Sequence, residues 1–421
     1  MSGRVKTKTN KKNTIHILKA GLPAFFLEAI MLSHKQLFLA HQAQTTHFPL
    51  MLEIVKAEGS YLYDVEGKKY LDLISGISVS SLGHGNEKVK NAIKAQVDAY
   101  MHLMVYGEFV QHPQVLLTQK LCSLLPASLD SVYLVNSGAE AVDAAMKLAK
   151  RVTGKSEIIA CRNAYHGSTH AALSLNSSEY YKNAYRPLLP GINFIDYNSI
   201  ASLSQITHST AAVIVEVVQG EGGYIAGNKD FLSALKQKCD ECCALLIFDE
   251  IQTGMGKTGK LFAFEHHGIV PDVLLLGKAL GAGMPIGAFV TSRNKMMLLA
   301  DHPILGHITT FGGHPVVAAA ALAGIEELLD NAWMNEVEKK EAIFRQRLVH
   351  PNIISVSGKG LMLGVQLHSF EQNLRVIQAC IQEGLITDWF LFANNKIRIA
   401  PPLTITEAEI HWACDVILRN L

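Results

Sequence analysis

Two short stretches place reactive side chains at the ends of predicted strands. The run ALLIFDE at 244–250 ends in Asp249 and Glu250, and the run VLLLG at 273–277 leads directly into Lys278. Two carboxylates at the end of an apolar strand are costly unless a partner or a ligand pairs with them. A lysine at the mouth of a buried strand is rare as packing, and a desolvated lysine is a nucleophile suited to Schiff-base formation. Metal binding by the carboxylates is the alternative, although no histidine lies at ligand spacing.

A third stretch follows the predicted strand VYLVN at 132–136. Ser137, Gly138 and Ala139 come directly after it, and a helix is predicted from Ala141 to Arg151. Glycine lets an anion approach the backbone, and the free amides of a helix N-terminus attract phosphate. Ser137 and Glu140 also have the spacing of a capping box, so an ordinary helix cap accounts for the same residues equally well.

Taken together, the three stretches are more specific than any one of them. Pyridoxal 5′-phosphate needs an anchor for its phosphate, a carboxylate at its pyridine nitrogen and a lysine for its aldehyde. The residues that follow the three predicted strands supply all three groups. The sequence therefore predicts pyridoxal 5′-phosphate as the cofactor.

The glycines after Asp249 suggest nucleotide-binding motifs, but both motifs fail. Residues 254–259, GMGKTG, have the glycine spacing of a dinucleotide-binding loop, whose glycines must follow the strand directly and open a helix. Here Asp249–Thr253 intervene, and the segment after Gly259 is a poor helix start. A phosphate-binding P-loop would need glycine at position 251, where the chain has isoleucine. We interpret the glycines as a turn behind the reactive carboxylates.

The elements that must position these residues alternate between strands and helices. Continuous apolar runs are typical of strands buried on both faces, and their alternation with helices predicts a mostly parallel α/β sheet. Ligands bind such a sheet at the carboxyl ends of its strands. Strands are predicted to begin at 132, 157, 211, 244, 273 and 287, and helices are predicted at Val89–Met101, Pro113–Leu125 and Phe231–Cys243.

The chain changes character near its C-terminus, where a smaller α+β domain is predicted. The expected division is a tail and lead-in helix at 1–45, the N-terminal part of the small domain at 46–95, a large cofactor-binding domain at 96–317 and the C-terminal small domain at 318–421. An extended hairpin that turns at Glu66-Gly67 is expected within the second part.

The composition is that of a globular enzyme. Of 421 residues, 49% are hydrophobic and 18% are charged, and the formal net charge is +1. No basic field is available to hold nucleic acid, so no nucleic-acid partner is expected. Seven cysteines spread over a long chain favour a reducing, cytoplasmic setting over a disulfide framework. Cys239 and Cys242 form a C-x-x-C pair on a predicted helix, where packing is favoured over redox or metal use.

The N-terminal segment resembles a targeting peptide without matching one. Basic residues crowd positions 4–12, and an apolar stretch follows from Ala20 to Leu32. Pro23 and Glu28 interrupt that stretch, and it is too short to span a bilayer, so no membrane association is expected. Our hypothesis is that Met31 is the true start and that residues 1–30 are a tail or a mis-assigned start.

Seven stretches, taken in chain order, resemble the class III aminotransferases. They are NSGAEAVDAAMKLAK, AYHGST, VEVVQGEGG, FDEIQTGMGKTG, PDVLLLGKALGAGMPIGA, HITTFGGHP and IRIAPPLT. The resemblance covers about Leu50 to the C-terminus and is greatest to the ornithine, acetylornithine and putrescine aminotransferase branch. It implies a pyridoxal-phosphate enzyme with the aspartate-aminotransferase-like fold that works as a homodimer.

The resemblance also implies how the cofactor is held. Lys278 matches the Schiff-base lysine that moves a proton between substrate and cofactor, and Asp249 matches the carboxylate that keeps the pyridine nitrogen protonated. The other implied cofactor contacts are Ser137, Gly138 and Ala139 at the phosphate, Tyr165 above the ring, Ile251 beneath it, Gln252 at the ring hydroxyl, and Thr310 of the other subunit at the phosphate.

Three residues are implied to serve the substrate. Arg398 matches an arginine that binds a substrate carboxylate with two hydrogen bonds. Glu221 matches a glutamate that pairs with this arginine when the bound amine lacks that carboxylate, and Glu216 matches a supporting carboxylate. Three positions depart from the branch, and one of them is Val217, which stands where proline is common. Ser168 stands where arginine usually holds a carboxylate of the donor, and Lys257 replaces an arginine on a predicted turn, where we expect no effect.

The expected activity is transfer of a terminal amino group to a 2-oxo acid, with 2-oxoglutarate as the acceptor. The resemblance favours ornithine or acetylornithine as the donor, and a diamine such as putrescine is the second choice because of Ser168. An intramolecular mutase or a decarboxylase on the same fold is an alternative, as is a non-catalytic module that binds pyridoxal phosphate.

Overall fold

The computed structural model describes residues 32–421. The contacts within them define a smaller unit of 32–55 with 64–66, and a larger unit that contains the remaining described residues. The N-terminal segment and the proposed start at Met31 lie outside the described residues. The four-part domain division stays a prediction.

The strands of residues 32–421 are numbered in chain order. They are β1 Ile54–Glu58, β2 Tyr61–Asp64, β3 Lys69–Asp72, β4 Ser131–Val135, β5 Glu157–Cys161, β6 Ile192–Ile195, β7 Thr210–Glu216, β8 Val218–Gln219, β9 Ile225–Ala226, β10 Leu245–Asp249, β11 Val273–Gly277, β12 Gly287–Thr291, β13 Ser355–Lys359, β14 Met362–Gln366, β15 Leu385–Ile386 and β16 Lys396–Ile399.

The α-helices of the same residues are numbered in the same way. They are α1 His34–His41, α2 Ser75–Ser78, α3 Glu87–Ala99, α4 His112–Ser123, α5 Gly138–Thr153, α6 His170–Ser174, α7 Glu179–Lys182, α8 Lys229–Glu241, α9 Arg293–Met296, α10 Pro315–Asp330, α11 Trp333–Arg347, α12 Phe370–Gln382 and α13 Glu407–Arg419. Short 3-10 helices lie at Asn183–Tyr185, Ala201–Gln205, Ala263–His266, Lys278–Gly281 and Met297–Leu299.

A seven-stranded sheet forms the centre of the larger unit, with the order β4-β12-β11-β10-β7-β5-β6. The neighbours from β11 to β6 are parallel, whereas β12 runs antiparallel to β11 and β4. The predicted α/β fold with a mostly parallel central sheet is therefore confirmed. Because parallel strands share an edge, the carboxyl ends of β7, β10 and β11 meet, with Asp249 in register with Glu216.

The apolar runs bury both faces of this sheet. Along β7, Val213 and Val215 belong to one core cluster together with residues of α8, and Ala212 and Ile214 belong to another together with residues of α5. Such two-sided burial is why the central strands lack polar alternation and could be found from sequence. Strand β6 was not predicted because it is an edge strand whose only buried residue is Ile195.

Helix α5 begins where the sequence predicted an anion site. The Ser137 hydroxyl accepts a hydrogen bond from Glu140 N at 3.2 Å, and Gly154 ends the helix with a left-handed φ of 69°. The Glu140 carboxylate accepts from Asn136 N, one residue before the cap, so only half of the predicted capping box forms. The helix begins at Gly138, earlier than predicted, which places its first amides at the carboxyl end of β4.

A three-stranded antiparallel sheet in the C-terminal part has the order β13-β14-β16. Its register pairs Arg398 on β16 with Gly364 on β14. The segment after β15 runs back along β16, since Arg398 N donates to Asp388 O at 2.9 Å and Trp389 forms a bridge with Ile397. This pairing fixes Asp388 beside Arg398.

Candidate active site

A cavity of about 220 Å³ lies at the carboxyl edge of the central sheet. It is lined by Gly138, Ala139, Tyr165, His166, Gly167, Ser168, Glu216, Val218, Asp249, Ile251, Gln252, Thr253 and Lys278. We call it the first cavity. It brings together most of the residues that the sequence analysis connected with the cofactor, although they lie far apart in the chain.

Asp249 ends β10 with a carboxylate that is held from two sides. Its Oδ1 accepts from Ile251 N at 3.0 Å, and its Oδ2 lies 2.7 Å from Nδ1 of His166. Burial acts to lower the pKa of His166, but the hydrogen bond to Asp249 and its charge outweigh burial, and the pKa is raised. The hydrogen bond from His166 thus holds one oxygen of the Asp249 carboxylate in a fixed position in the first cavity.

His166 received no role in the sequence analysis, although it lies within the AYHGST stretch. It is separated from Asp249 by 83 residues, and its side chain is buried. Its only sequence signal was its position next to Tyr165. A contact of that sequence separation depends on the strand order of the sheet, which spacing along one chain does not reveal.

Lys278 follows β11 and opens a single 3-10 turn. Its φ of 46° lies in the left-handed region, which is uncommon for a residue with a side chain and is concentrated at functional sites. Burial lowers the pKa of Lys278, and the charges of Asp249 and Glu221 oppose this shift. A lysine amine with a lowered pKa is more often unprotonated, which is the form that attacks an aldehyde.

The start of α5 forms a close-fitting wall of the first cavity. A Cβ atom added at Gly138 would lie 2.7 Å from Cδ1 of Ile251, and one added at Gly167 would lie 2.5 Å from Cβ of Ala139. The first amides of a helix have no intrahelical acceptor, so Gly138 and Ala139 offer N–H groups to an anion. The close packing of this wall leaves no room for a side chain at Gly138 or Gly167.

The donor set of the first cavity fits pyridoxal phosphate. Within residues 32–421, Oε1 of the buried Gln252 has no hydrogen-bond partner, so this amide is available to a ligand. Ile251 and Tyr165 supply apolar and aromatic surface beside it, with Tyr165 OH 3.1 Å from Oγ of Ser168. An amine, a carboxylate, an amide and a helix N-terminus therefore converge on one space of suitable polarity.

Glu216 lies in the first cavity at the end of β7. Its carboxylate accepts from Tyr165 N at 3.1 Å and Gly220 N at 2.7 Å, and burial raises its pKa to about 7. It does not line the cavity that contains Arg398. The contacts of Glu216 thus fix the main chain that carries Tyr165.

A second cavity of about 510 Å³ adjoins the first, and Tyr165 and Lys278 line both. Its other lining residues are Ile77, Glu221, Asp388, Trp389, Leu391 and Arg398. Arg398 donates from Nη1 to Glu221 Oε1 and from Nη2 to Glu221 Oε2, both at 3.0 Å. The pair predicted from the sequence is thus present in the two-pronged geometry that a substrate carboxylate would also use.

Asp388 is the charged residue of the second cavity that the sequence analysis missed. Its Oδ1 accepts from Nε of Arg398 at 2.7 Å. Burial raises the pKa of Asp388 to about 6, and Arg398 opposes that shift. The side chain keeps 28% of its surface exposed, whereas that of Arg398 keeps 3%.

Thr310 and Ser168 lie at the periphery. Thr310 is exposed and does not line either cavity of its own chain. Ser168 is exposed at the edge of the first cavity and brings no charge. The prediction that Thr310 serves the other subunit stays a prediction.

Two charged residues of the turn behind Asp249 have structural contacts. Glu250 accepts from Ala263 N at 2.6 Å and Phe264 N at 2.7 Å, which anchors the turn. Lys257 is fully buried, and its Nζ donates to Ala400 O at 3.1 Å and to Pro401 O. Burial lowers the pKa of Lys257 to about 7. The C-terminal part of the chain therefore covers this turn at Lys257, and the expectation that lysine in place of arginine has no effect here stays a prediction.

The fold and the site define an α/β enzyme of the transaminase type. The family model described as Aminotransferase class-III matches residues 41–421, and the chain belongs to this family. The predicted family and enzyme class are confirmed, and the cofactor is pyridoxal 5′-phosphate. The substrates of such an enzyme are an amine donor and a 2-oxo acid.

Similar proteins span most of the chain. An acetylornithine aminotransferase of Methanocaldococcus jannaschii is 37% identical over 377 residues, which are 86% of this chain and 91% of the relative. A [LysW]-aminoadipate semialdehyde/glutamate semialdehyde transaminase of Sulfurisphaera tokodaii is 39% identical over 376 residues, which are 88% and 95%. The solved ornithine aminotransferase of Toxoplasma gondii superposes with a TM-score of 0.85 at 29% identity and covers 94% of this chain and 97% of its own. Between residues 32 and 421, no helix is both long and apolar enough to cross a membrane.

Proposed function

We propose that the chain transfers the terminal amino group of an ω-amino acid or a diamine to 2-oxoglutarate. The observation that carries this proposal is the bidentate pair of Arg398 with Glu221 in the second cavity. An arginine already neutralised by its own glutamate does not need a carboxylate on the donor, so a terminal amine is accommodated. Displacement of Glu221 then leaves the same edge of Arg398 for the carboxylate of the 2-oxo acid.

Ornithine or acetylornithine is the leading donor, because similar proteins are named for these substrates. A diamine such as putrescine is the second candidate, and two features favour it. Ser168 offers no charge to a donor carboxylate, and Glu221 and Asp388 give the second cavity two carboxylates against one arginine. Kinetic comparison of N-acetylornithine, ornithine and putrescine decides among the three.

In the proposed reaction, each functional residue of the first cavity has a separate role. When bound, pyridoxal phosphate supplies an electron sink for the carbanion at the amine-bearing carbon. Lys278 removes and returns the proton at that carbon through Nζ, and Asp249 with His166 keeps a negative charge at the ring nitrogen. Gln252 and the first amides of α5 orient the cofactor, and Tyr165 shields the reacting carbon from water.

Arg398→Ala should affect the two half-reactions unequally. A hydrogen bond to a charged group contributes about 1.5–3 kcal/mol, so the half-reaction with 2-oxoglutarate should slow by about 10- to 100-fold or more in kcat/KM. The half-reaction with a terminal amine should lose much less, because that substrate makes no ion pair with Arg398. Rapid-mixing absorbance of the bound cofactor, with each substrate alone, measures both rates.

Glu221→Ala is the matched variant and should show the reverse pattern. A free Arg398 would disfavour the terminal ammonium and would admit α-amino acids as donors. Equal losses in both half-reactions for Arg398→Ala would contradict the proposed switch. A strong wild-type preference for N-acetylornithine over putrescine would show that a residue other than Ser168 holds the donor carboxylate.

We also propose that the enzyme is a homodimer whose partner completes the phosphate site. Thr310 is exposed and lines neither cavity of its own chain. The large apolar side chains next to it in the chain, Ile308 and Phe311, are exposed as well. A second copy of the chain would cover such a surface.

Co-expression of two inactive variants tests this assembly. Thr310→Asp should place a carboxylate against the phosphate of the partner's site, and Lys278→Ala removes the reactive amine. In a mixed dimer the site with intact Lys278 receives an intact Thr310, so roughly half of the wild-type activity should return per mixed dimer. Each variant carries a different affinity tag, so two successive affinity steps isolate the mixed dimers. Mixed dimers without activity, or a fully active monomer by light scattering, would refute the shared site.

The cytoplasm is the compartment that we propose for the protein. All seven cysteines of the chain are free, and five of them are buried: Cys161, Cys239, Cys242, Cys380 and Cys414. Cys239 and Cys242 lie in the main apolar core, which agrees with packing as their role. Buried thiols without disulfides suit a reducing environment.

A further inference from the structure

Arg398 is held by more groups than a carboxylate-binding switch requires. Nη1 and Nη2 bind Glu221, Nη2 also donates to Trp389 O at 3.1 Å, and Nε donates to Asp388 at 2.7 Å. The guanidinium carbon lies 4.4 Å from the ring centroid of Phe390. Because the Tyr224 ring centroid lies 5.7 Å away as well, the guanidinium faces two carboxylates, a carbonyl and two aromatic rings.

The two carboxylates occupy different edges of the guanidinium. Glu221 takes the Nη1–Nη2 edge, which is the edge that a substrate carboxylate would use. Asp388 takes Nε, and the main-chain bond from Arg398 N to Asp388 O keeps the two residues side by side. A substrate can therefore displace Glu221 while Asp388 remains in place.

The charge of the second cavity follows from this arrangement. Lys278 also lines this cavity, but its amine is the group that would bind the cofactor. Of the remaining charged side chains, Arg398 contributes one positive charge and Glu221 and Asp388 contribute one negative charge each, which leaves an excess of one negative charge. A terminal ammonium would neutralise that excess, whereas an added carboxylate would increase it. Without the charge of Asp388, the remaining pair would be neutral and this bias would vanish.

We propose that Asp388 is a specificity-determining residue, which stays on Nε of Arg398 through both half-reactions and makes the second cavity favour a terminal ammonium over an α-carboxylate. This inference rests on the proposed function. It assigns to Asp388, in addition to the pair of Arg398 and Glu221, a part in the preference for terminal amines over donors with a carboxylate at the reacting carbon. Trp389 O and the Phe390 ring would still hold the guanidinium if the charge of Asp388 were removed.

Asp388→Asn tests the role of the charge, because asparagine keeps an oxygen that can accept from Nε. The measured quantity is kcat/KM for putrescine divided by kcat/KM for L-glutamate as the donor. The ratio should fall by about 10-fold or more, through faster reaction of L-glutamate and slower reaction of putrescine. The assays are run at about pH 8, where Asp388 of the wild type, with a pKa of about 6, is ionised.

Binding of glutarate to the holoenzyme gives a second readout that does not depend on turnover. Glutarate presents carboxylates but no amine, so calorimetry should find about 10-fold tighter binding to Asp388→Asn than to the wild type. Glu383→Gln is the control, because Glu383 pairs with Arg419 outside both cavities. That variant should change neither the ratio nor the dissociation constant. Asp388→Ser repeats the loss of charge if the asparagine variant folds poorly.

The outcomes separate the inference from the proposed function. A wild type that accepts no terminal amine would refute the proposed function, and the glutarate titration would still decide the role of Asp388. A wild type that accepts putrescine, with an unchanged ratio and unchanged glutarate binding in Asp388→Asn, would overturn the inference alone. Equal loss of activity with both donors would overturn it as well, since it would assign Asp388 a purely structural role.

Discussion

Lys278→Ala should lower kcat by at least about 10⁴-fold, because the proposed function assigns to this one side chain both the covalent link to the cofactor and the proton transfer at the substrate carbon. Lys278 is positioned for both tasks, since it lines the first and the second cavity. The yellow colour that arises from the covalent link between lysine and cofactor should disappear. Pyridoxal phosphate can still bind through the start of α5 and Asp249. Steady-state kinetics and the absorbance spectrum of the purified variant measure the two effects.

A further variant and a rescue experiment make this result specific. Lys278→Arg keeps the positive charge but cannot form the link, so it should be equally inactive. Addition of a small amine such as methylamine to Lys278→Ala should restore part of the proton transfer, which a folding defect would not allow. A Lys278→Ala enzyme with near-normal turnover would refute the assignment.

Asp249→Ala should lower kcat by about 10²- to 10³-fold at saturating cofactor, which is the effect of removing one preorganised electrostatic group. In the proposed function the carboxylate is the charged partner for the ring nitrogen, and without it the cofactor would lose much of its power to withdraw electrons. The loss should fall on proton abstraction in both half-reactions alike, in contrast to the unequal losses expected for Arg398→Ala. A deuterium label at the reacting carbon should give a larger isotope effect as this step becomes limiting.

His166 offers a matched comparison for Asp249. His166→Phe removes the hydrogen bond from Nδ1 but leaves the carboxylate, so its effect should be smaller than that of Asp249→Ala. The affinity for the cofactor should fall in either variant. Titration with pyridoxal phosphate distinguishes this loss of affinity from a loss of kcat. If Asp249→Ala lowered affinity only and the rate at saturating cofactor were normal, the electrostatic role would be wrong.

The central sheet could be predicted from sequence because its strands are buried on both faces. Apolar runs at β4, β5, β7, β10, β11 and β12 mark their positions directly. Asp249 and Lys278 could be found because each is a charge at the end of such a run. The edge strand β6 lacked that signal, since only Ile195 is buried.

The residues that escaped prediction act through long-range contacts. His166 reaches Asp249 across 83 residues, and the burial of Lys257 depends on chain that lies 143 residues further on. Asp388 is close to Arg398 in sequence, but its position depends on the return of the chain after β15. These contacts depend on the order of the strands and on the path of the chain between them, so they could not be predicted from residue spacing along the sequence.

The most direct measurement is a half-reaction of the wild-type holoenzyme with a terminal amine alone. Putrescine, ornithine or N-acetylornithine, added without any 2-oxo acid, should bleach the absorbance of the bound cofactor and release one aldehyde product per site. Subsequent addition of 2-oxoglutarate should restore the absorbance and yield glutamate. An unchanged spectrum with every terminal amine, together with bleaching by α-amino acids, would contradict the account.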